Sequence, residues 1–245
     1  MKRIVKFSLF VMFTVVCLSG CVVVDFSDFN AVTGKGDLES YEFRVGSYSG
    51  IRIDGLCNIQ YYADSSDTVT LEVQPNLREY FVVEVKDGDL VVRTTRRMNF
   101  DTGKAPVLTV FTPVLNRLTI GGLSTFTAND KISADSFTLK LNGAGDGKAE
   151  LDVNSFFADL SGAGSFDLSG RAETVDLKIS GAGELDAISL QTQDAKLNLS
   201  GTGKIRISCA RTLRIIADGL GSIEYIGSPS IDQNTSGLVS IKKIN

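Results

Sequence analysis

Any chemistry in this chain has to be built from carboxylates, Lys, Arg, Tyr, hydroxyls and four Cys, because its 245 residues include no His. That absence removes Ser-His-Asp and Cys-His nucleophilic catalysis, His-ligated zinc and haem, and a histidine pH switch. The acids with the most suggestive spacing are Asp167 and Asp186, in a series with Lys148, Arg206 and Glu224. A parallel series two residues earlier reads Asp146, Ser165, Glu184, Lys204, Ser222. Two carboxylates on one face could hydrolyse a glycoside, or could hold a cation or a sugar. The plainer reading is a solvated wall of mixed charge, since no long insertion builds a cleft around them. No nucleophile–base pair and no metal-ligand spacing occurs. The sequence therefore predicts no enzyme, no cofactor and no metal site.

One residue does carry a modification signal. Lys2, Arg3 and Lys6 precede a ten-residue apolar run, Phe7 to Val16, which ends in Leu18-Ser19-Gly20-Cys21. The run is short for a membrane span, which needs about 20 apolar residues, and suits a signal peptide over residues 1–20. Leu-Ser-Gly-Cys at its end resembles the bacterial lipobox, which implies acylation at Cys21. Several acyl chains anchor stably, at about 0.8 kcal/mol per buried CH₂. Residues 21–40 read as the lipidated Cys and a tether. The expected location is the cell envelope, with Val22 after the Cys pointing to the outer membrane. Without residues 1–20 the chain keeps 22 Lys+Arg against 29 Asp+Glu, a net charge of −7. That balance argues against nucleic-acid partners, which want a basic surface. Cys57 and Cys209 could pair outside the cytoplasm, or could be two buried small hydrophobes.

The elements that would position these groups are set by a repeat. Leu139-Lys-Leu-Asn-Gly143-Ala-Gly145 returns as Ala158-Asp-Leu-Ser-Gly162-Ala-Gly164 and Leu177-Lys-Ile-Ser-Gly181-Ala-Gly183. It returns again as Leu197-Asn-Leu-Ser-Gly201-Thr-Gly203, and more loosely as Ile215-Ile-Ala-Asp-Gly219-Leu-Gly221. A last copy, Thr235-Ser-Gly237-Leu-Val239, lacks the second Gly. With the first Gly as position zero, even positions are apolar or Gly and odd positions are polar or small. Period-2 patterning means strand with one buried face. Units of about 19 residues that cannot bury that face alone must stack. The expected fold is all-β: a parallel β-helix (β-solenoid) with its regular coils over 105–245. The paired glycines would form structural ladders at an inner corner where a Cβ is obstructed. A phosphate cradle is the other use of Gly-x-Gly, but it needs a following helix, and none is patterned here.

The first half is less regular. Ile51-Arg-Ile-Asp-Gly55-Leu-Cys57 and Leu118-Thr-Ile120-Gly-Gly122-Leu-Ser124 echo the same register. Val85 and Leu90 around Asp87-Gly88 predict a hairpin. Residues 41–104 read as irregular N-terminal β coils, with 94–106 a loop, and 41–245 as one domain. Tyr61, Tyr62, Tyr80 and Phe81 are core by period, or a recognition surface if exposed.

The serial Ser-Gly-Ala-Gly copies at 161–164 and 180–183 resemble the auto-transporter adhesin, head GIN-domain family. So do Phe43-Arg-Val45 with Tyr48-Ser-Gly-Ile51, Val85-Lys-Asp-Gly-Asp-Leu90, and Ile223-Glu-Tyr225-Ile-Gly227-Ser-Pro229. The resemblance spans about residues 41–245 and implies an exported, right-handed β-helix, often on a lipoprotein, with adhesion or surface interaction as its role. It carries over no catalytic residue. The expected function is a membrane-anchored, non-catalytic binding or scaffold protein, whose partner is a glycan or an envelope protein. A structural, self-associating homo-oligomer without external ligand and a carbohydrate-active β-helix enzyme are the alternatives.

Overall fold

The computed structural model describes residues 31–99 and 104–244. Strand makes up 71% of the chain, in stacked parallel coils of about 19 residues and about 7 turns. The chain starts with β1 (Val32–Thr33) and β2 (Glu39–Arg44), then β3 (Gly50–Asp54) and β4 (Leu56–Tyr62). β5 (Thr68–Val73), a 3₁₀ helix (Pro75–Tyr80), β6 (Phe81–Lys86), β7 (Asp89–Thr94), β8 (Met98–Asn99) and β9 (Val107–Phe111) follow. β10 (Arg117–Ile120), β11 (Leu123–Ala128) and β12 (Ile132–Leu141) lead into four long strands. These are β13 (Gly147–Leu160), β14 (Ala163–Ile179), β15 (Ala182–Leu199) and β16 (Thr202–Ala217). β17 (Leu220–Ile226), β18 (Ser230–Thr235) and β19 (Leu238–Lys243) close the chain.

The solenoid is not contiguous in sequence. Its first coil is β3–β4, and the next coil in space is β10–β11, with Ile51 on Leu118, Cys57 on Ser124 and Ile59 on Phe126. Between them the chain leaves to build a cap. β2 runs antiparallel to β5, β5 antiparallel to β9, and β9 parallel to β4. The hairpin β6–β7 lies antiparallel, and β7 continues parallel onto β3. Its turn is the expected one: Val85 faces Leu90, and Asp87 and Gly88 take φ of 53° and 80°, which a two-residue turn matched to strand twist requires. Two expectations need correction. The supposed tether contributes Val32–Thr33, which pairs with Met98–Asn99 of the supposed loop, and Glu39–Ser40, which pairs with Glu72–Val73 of β5. Isolated two-residue pairs carry no period, so pattern could not show them.

From β12 onward the register holds coil after coil. Leu139, Ala158, Leu177, Leu197 and Ile215 stack in one inner row, all buried. Phe166, Leu185, Ile205 and Ile223 make another. The core is thus a column of rows, each side chain touching its like above and below. Phe137 and Phe156 stack with ring centroids 5.9 Å apart.

The glycines stand where the stacked backbones come closest. A Cβ placed on Gly181 would fall on the carbonyl oxygen of Gly162 in the preceding coil, and one on Gly201 on that of Gly181. The same holds for Gly143, Gly145, Gly162, Gly164, Gly203, Gly219 and Gly221, each against backbone of the coil before; Gly183 has slightly more room, with Gly164 O at 2.9 Å. The obstruction therefore lies along the solenoid axis rather than in the interior corner the sequence suggested. The missing Cβ lets one coil's backbone close on the next.

Candidate functional site

The outer wall is where a partner could bind, so its odd-position rows matter. Because the coils are in register, side chains about 19 residues apart become neighbours. Lys148, Asp167, Asp186, Arg206, Glu224 and Lys242 form one row, and Glu184 lies beside Lys204 in the next. Charges along these rows mostly satisfy one another from coil to coil. Arg206 holds Asp186 on one side and Glu224, at 3.3 Å, on the other. Lys204 also reaches Glu224, at 3.4 Å. Arg171 pairs with Asp152 at 2.9 Å, Lys196 with Asp176 at 2.9 Å and Lys131 with Glu150 at 2.9 Å. Arg211 and Thr212 both hydrogen-bond Asp194, and they hold its carboxyl down at about 2. Asp186 and Glu224 in turn raise the Arg206 guanidinium above its ordinary value.

One stretch of the row differs. Asp167 and Asp186 are like charges on adjacent coils. Asp186 is matched by Arg206, while Asp167 and the neighbouring Lys148 have no ion-pair partner among the described residues. Both line an open groove of about 570 Å³ with Glu150, Ser169, Asp186 and Ser189. The groove arises from local irregularity: the register slips between Asp167 and Ser169, where the next coil carries an extra residue near Ile188. Ile188 N donates to Asp186 Oδ1 at 3.2 Å, fixing that bulge. The arrangement offers the cation of Lys148, the anion of Asp167 and the two hydroxyls of Ser169 and Ser189 on a shallow floor. It can contact a polar, extended ligand. Asp186 is ion-paired with Arg206 and Asp167 is exposed, so the two carboxylates lie on an open wall.

The remaining sequence candidates distribute plainly. The strip Asn142, Ser161, Ser180, Ser200 is exposed along one line, and Ser161 Oγ donates to Asn142 Oδ1 at 3.1 Å. Tyr61 and Phe81 are core, and Tyr61 donates to Thr112 O at 3.1 Å. Tyr62 is exposed and stacks on Phe111 with centroids 5.7 Å apart. Cys57 and Cys209 are both free and buried, and burial pushes the Cys57 thiol up to about 12. Among the described residues no group of three or more His, Cys, Asp or Glu could hold a metal, and no helix is long and apolar enough to cross a membrane. Cys21 and the signal segment 1–20 lie outside the described residues. Sequence pattern missed the groove itself, because only the extra residue near Ile188 hinted at it, as a spacing of 20 instead of 19.

The family described as "Putative auto-transporter adhesin, head GIN domain" matches residues 47–229. The chain belongs to this family. Its matched span takes in the first coil, the cap hairpin and the regular coils up to Pro229. Among solved structures, a putative adhesin from Bacteroides fragilis superposes with a TM-score of 0.78 at 22% identity, covering 87% of this chain and 100% of that one. A putative lipid binding protein from Parabacteroides distasonis gives 0.69 at 18%, covering 88% and 100%. A putative adhesin from the same species gives 0.65 at 21%, also covering 88% and 100%. At such identities the likeness is one of fold. No curated protein matches the chain.

Proposed function

We propose that this protein is a lipid-anchored lipoprotein of the bacterial envelope with the coarse role its family name carries: a non-catalytic, adhesin-like β-helix that binds through its outer wall. The observation that carries the reading is the wall itself. Its charges are mostly paired from coil to coil, and the groove at the bulge is shallow, with Lys148 and Asp167 left over to meet a polar ligand. Leu18-Ser19-Gly20-Cys21 supports the anchor at Cys21, in the outer membrane. The ligand class that fits is a glycan or a polar segment of an envelope protein; nucleic acid is opposed by the acidic balance.

The test is a glycan and envelope-protein array probed with the protein, followed by a polysaccharide cleavage assay. Saturable binding that weakens in Lys148→Ala and Asp167→Ala, without product formation, is expected. Depolymerisation that vanishes in Asp167→Ala and Asp186→Ala would make the protein a carbohydrate-active enzyme. Mass spectrometry of the mature N-terminus tests the anchor: acyl chains on Cys21 are expected, and an unmodified chain starting elsewhere removes it.

A further inference from the structure

We propose that the last coil is a docking edge for a second copy of this chain, joined tail to tail across a two-fold axis through the Gly237 corner. The argument begins with the backbone. In every coil, odd-position residues bond back to the coil before, as Ser180 N to Leu160 O and Ala182 N to Gly162 O. Even-position residues bond forward, as Gly145 N to Ala163 O, except the first Gly of each unit, whose N–H also turns back, as Gly181 N to Leu160 O. The last coil obeys the same rule. Ser236 donates back to Ala217, Leu238 to Gly219 and Ile244 to Tyr225. The other even-position residues of this coil, Ile231, Gln233, Thr235, Val239, Ile241 and Lys243, therefore direct their N–H and C=O away from the fold, where no further strand is described, while Gly237 N turns back to Ala217 O. The cap end is closed differently, by antiparallel strands. An unpaired strand edge is a template for another chain.

The occupant follows from shape and charge. Two edge strands, β18 and β19, lie in one layer on either side of Gly237. A single added strand covers one of them. A second last coil covers both at once, because it has the same outline. A two-fold axis through Gly237 lays each β18 antiparallel on the other copy's β19. Residues equally far from Gly237 then face each other: Thr235 and Val239, Gln233 and Ile241, Ile231 and Lys243. All six belong to the set with unpaired backbone groups, so an antiparallel ladder forms without a slip. Between them Asp232 faces Lys242, opposite charges five residues either side of the axis. Ile231, Val239 and Ile241 would extend the apolar column across the joint. Leu238, 80% exposed, and Leu220, 50% exposed, flank it.

The described chain starts at the cap, with β1 beside β8, so this joint leaves the two copies' β1 strands at opposite ends of a stack about 70 Å long, from about 7 turns of ~4.8 Å in each copy. On the anchoring reading above, such a pair bridges two facing membranes.

Sedimentation of the full chain in detergent micelles tests the joint. A dimer is expected, and Gln233→Pro should raise its dissociation constant by roughly tenfold or more while leaving the thermal midpoint nearly unchanged, since that N–H points to the open edge. Lys242→Asp should weaken the dimer, and the swap Asp232→Lys with Lys242→Asp should restore it. A chain that stays monomeric at tens of micromolar, or a dimer indifferent to both Gln233→Pro and Lys242→Asp, overturns the proposal. Vesicles carrying the full chain should cluster. Dimers in detergent without clustering would keep the joint and remove the anchor.

Discussion

The cap (β1, β2 and β5 to β9) and the coils (β3–β4 and β10 to β19) solve one problem in opposite ways. Both must pair every backbone group and bury an apolar face. The coils do it by repetition: the same side-chain type recurs at the same place, and each coil serves as template for the next. The cap does it with antiparallel pairs, a hairpin and a 3₁₀ helix, whose Leu77 is fully buried and whose Arg78 lies 4.3 Å from the Phe43 ring centre. Repetition leaves an open edge at its last copy; irregularity closes the end. The two meet at Asp89, a mostly buried acid in the hairpin that accepts 3.0 and 2.7 Å hydrogen bonds from Arg117 of the second coil.

The sharpest way to break the contrast is Gly181→Val. Backbone cannot yield as a flexible side chain does, so a loss above about 4 kcal/mol is expected. Ala182→Val, one residue along and facing solvent, should stay within about 0.5 kcal/mol. Equal denaturation midpoints for the two would refute the stacking argument. Leu77→Ala comes next, at roughly 2–5 kcal/mol for a buried Leu. Hydrogen exchange should then rise in β2, β5 and β6 well before it rises in β14 and β15. Uniform exchange throughout would mean that cap and coils unfold as one unit.

Arg117→Ala should cost about 1–2 kcal/mol, a charged hydrogen bond discounted for the half-exposed guanidinium. Its effect belongs at the hairpin junction, and a change in exchange confined to distant coils would contradict it. The Cys57 thiol, pushed up to about 12 by burial, should resist alkylation in the native protein and react on unfolding; rapid native labelling would show that the first coil opens.

The smallest effect is acid titration on the coil wall. Asp194, held at about 2 by Arg211 and Thr212, has a folded value below its ordinary 3.8. Its contribution is therefore complete above the unfolded value and is lost as pH falls through about 2. NMR titration should place the midpoint there, and Arg211→Ala should move it back up. An unmoved midpoint would assign the shift to another group.

Period-2 alternation and the 19-residue glycine spacing determined the solenoid, because stacking coils make each row a local, repeated decision that any one copy already displays. They also determined which acids would be neighbours: Asp167 beside Asp186, and Glu184 beside Lys204, follow from arithmetic once the register is known. The echo at Gly55 and Cys57 was legible as register, though its place as the first coil was not. That required the chain to leave for the cap and return at Arg117, a choice made by long-range pairing of β3 with β10 and β4 with β11. Only the tertiary structure decided that Arg206 would neutralise Asp186, that the slip after Asp167 would open a groove, and that the glycines are needed along the axis rather than inside. Each of these depends on where one coil's atoms fall against the next, a distance that sequence spacing orders but does not measure.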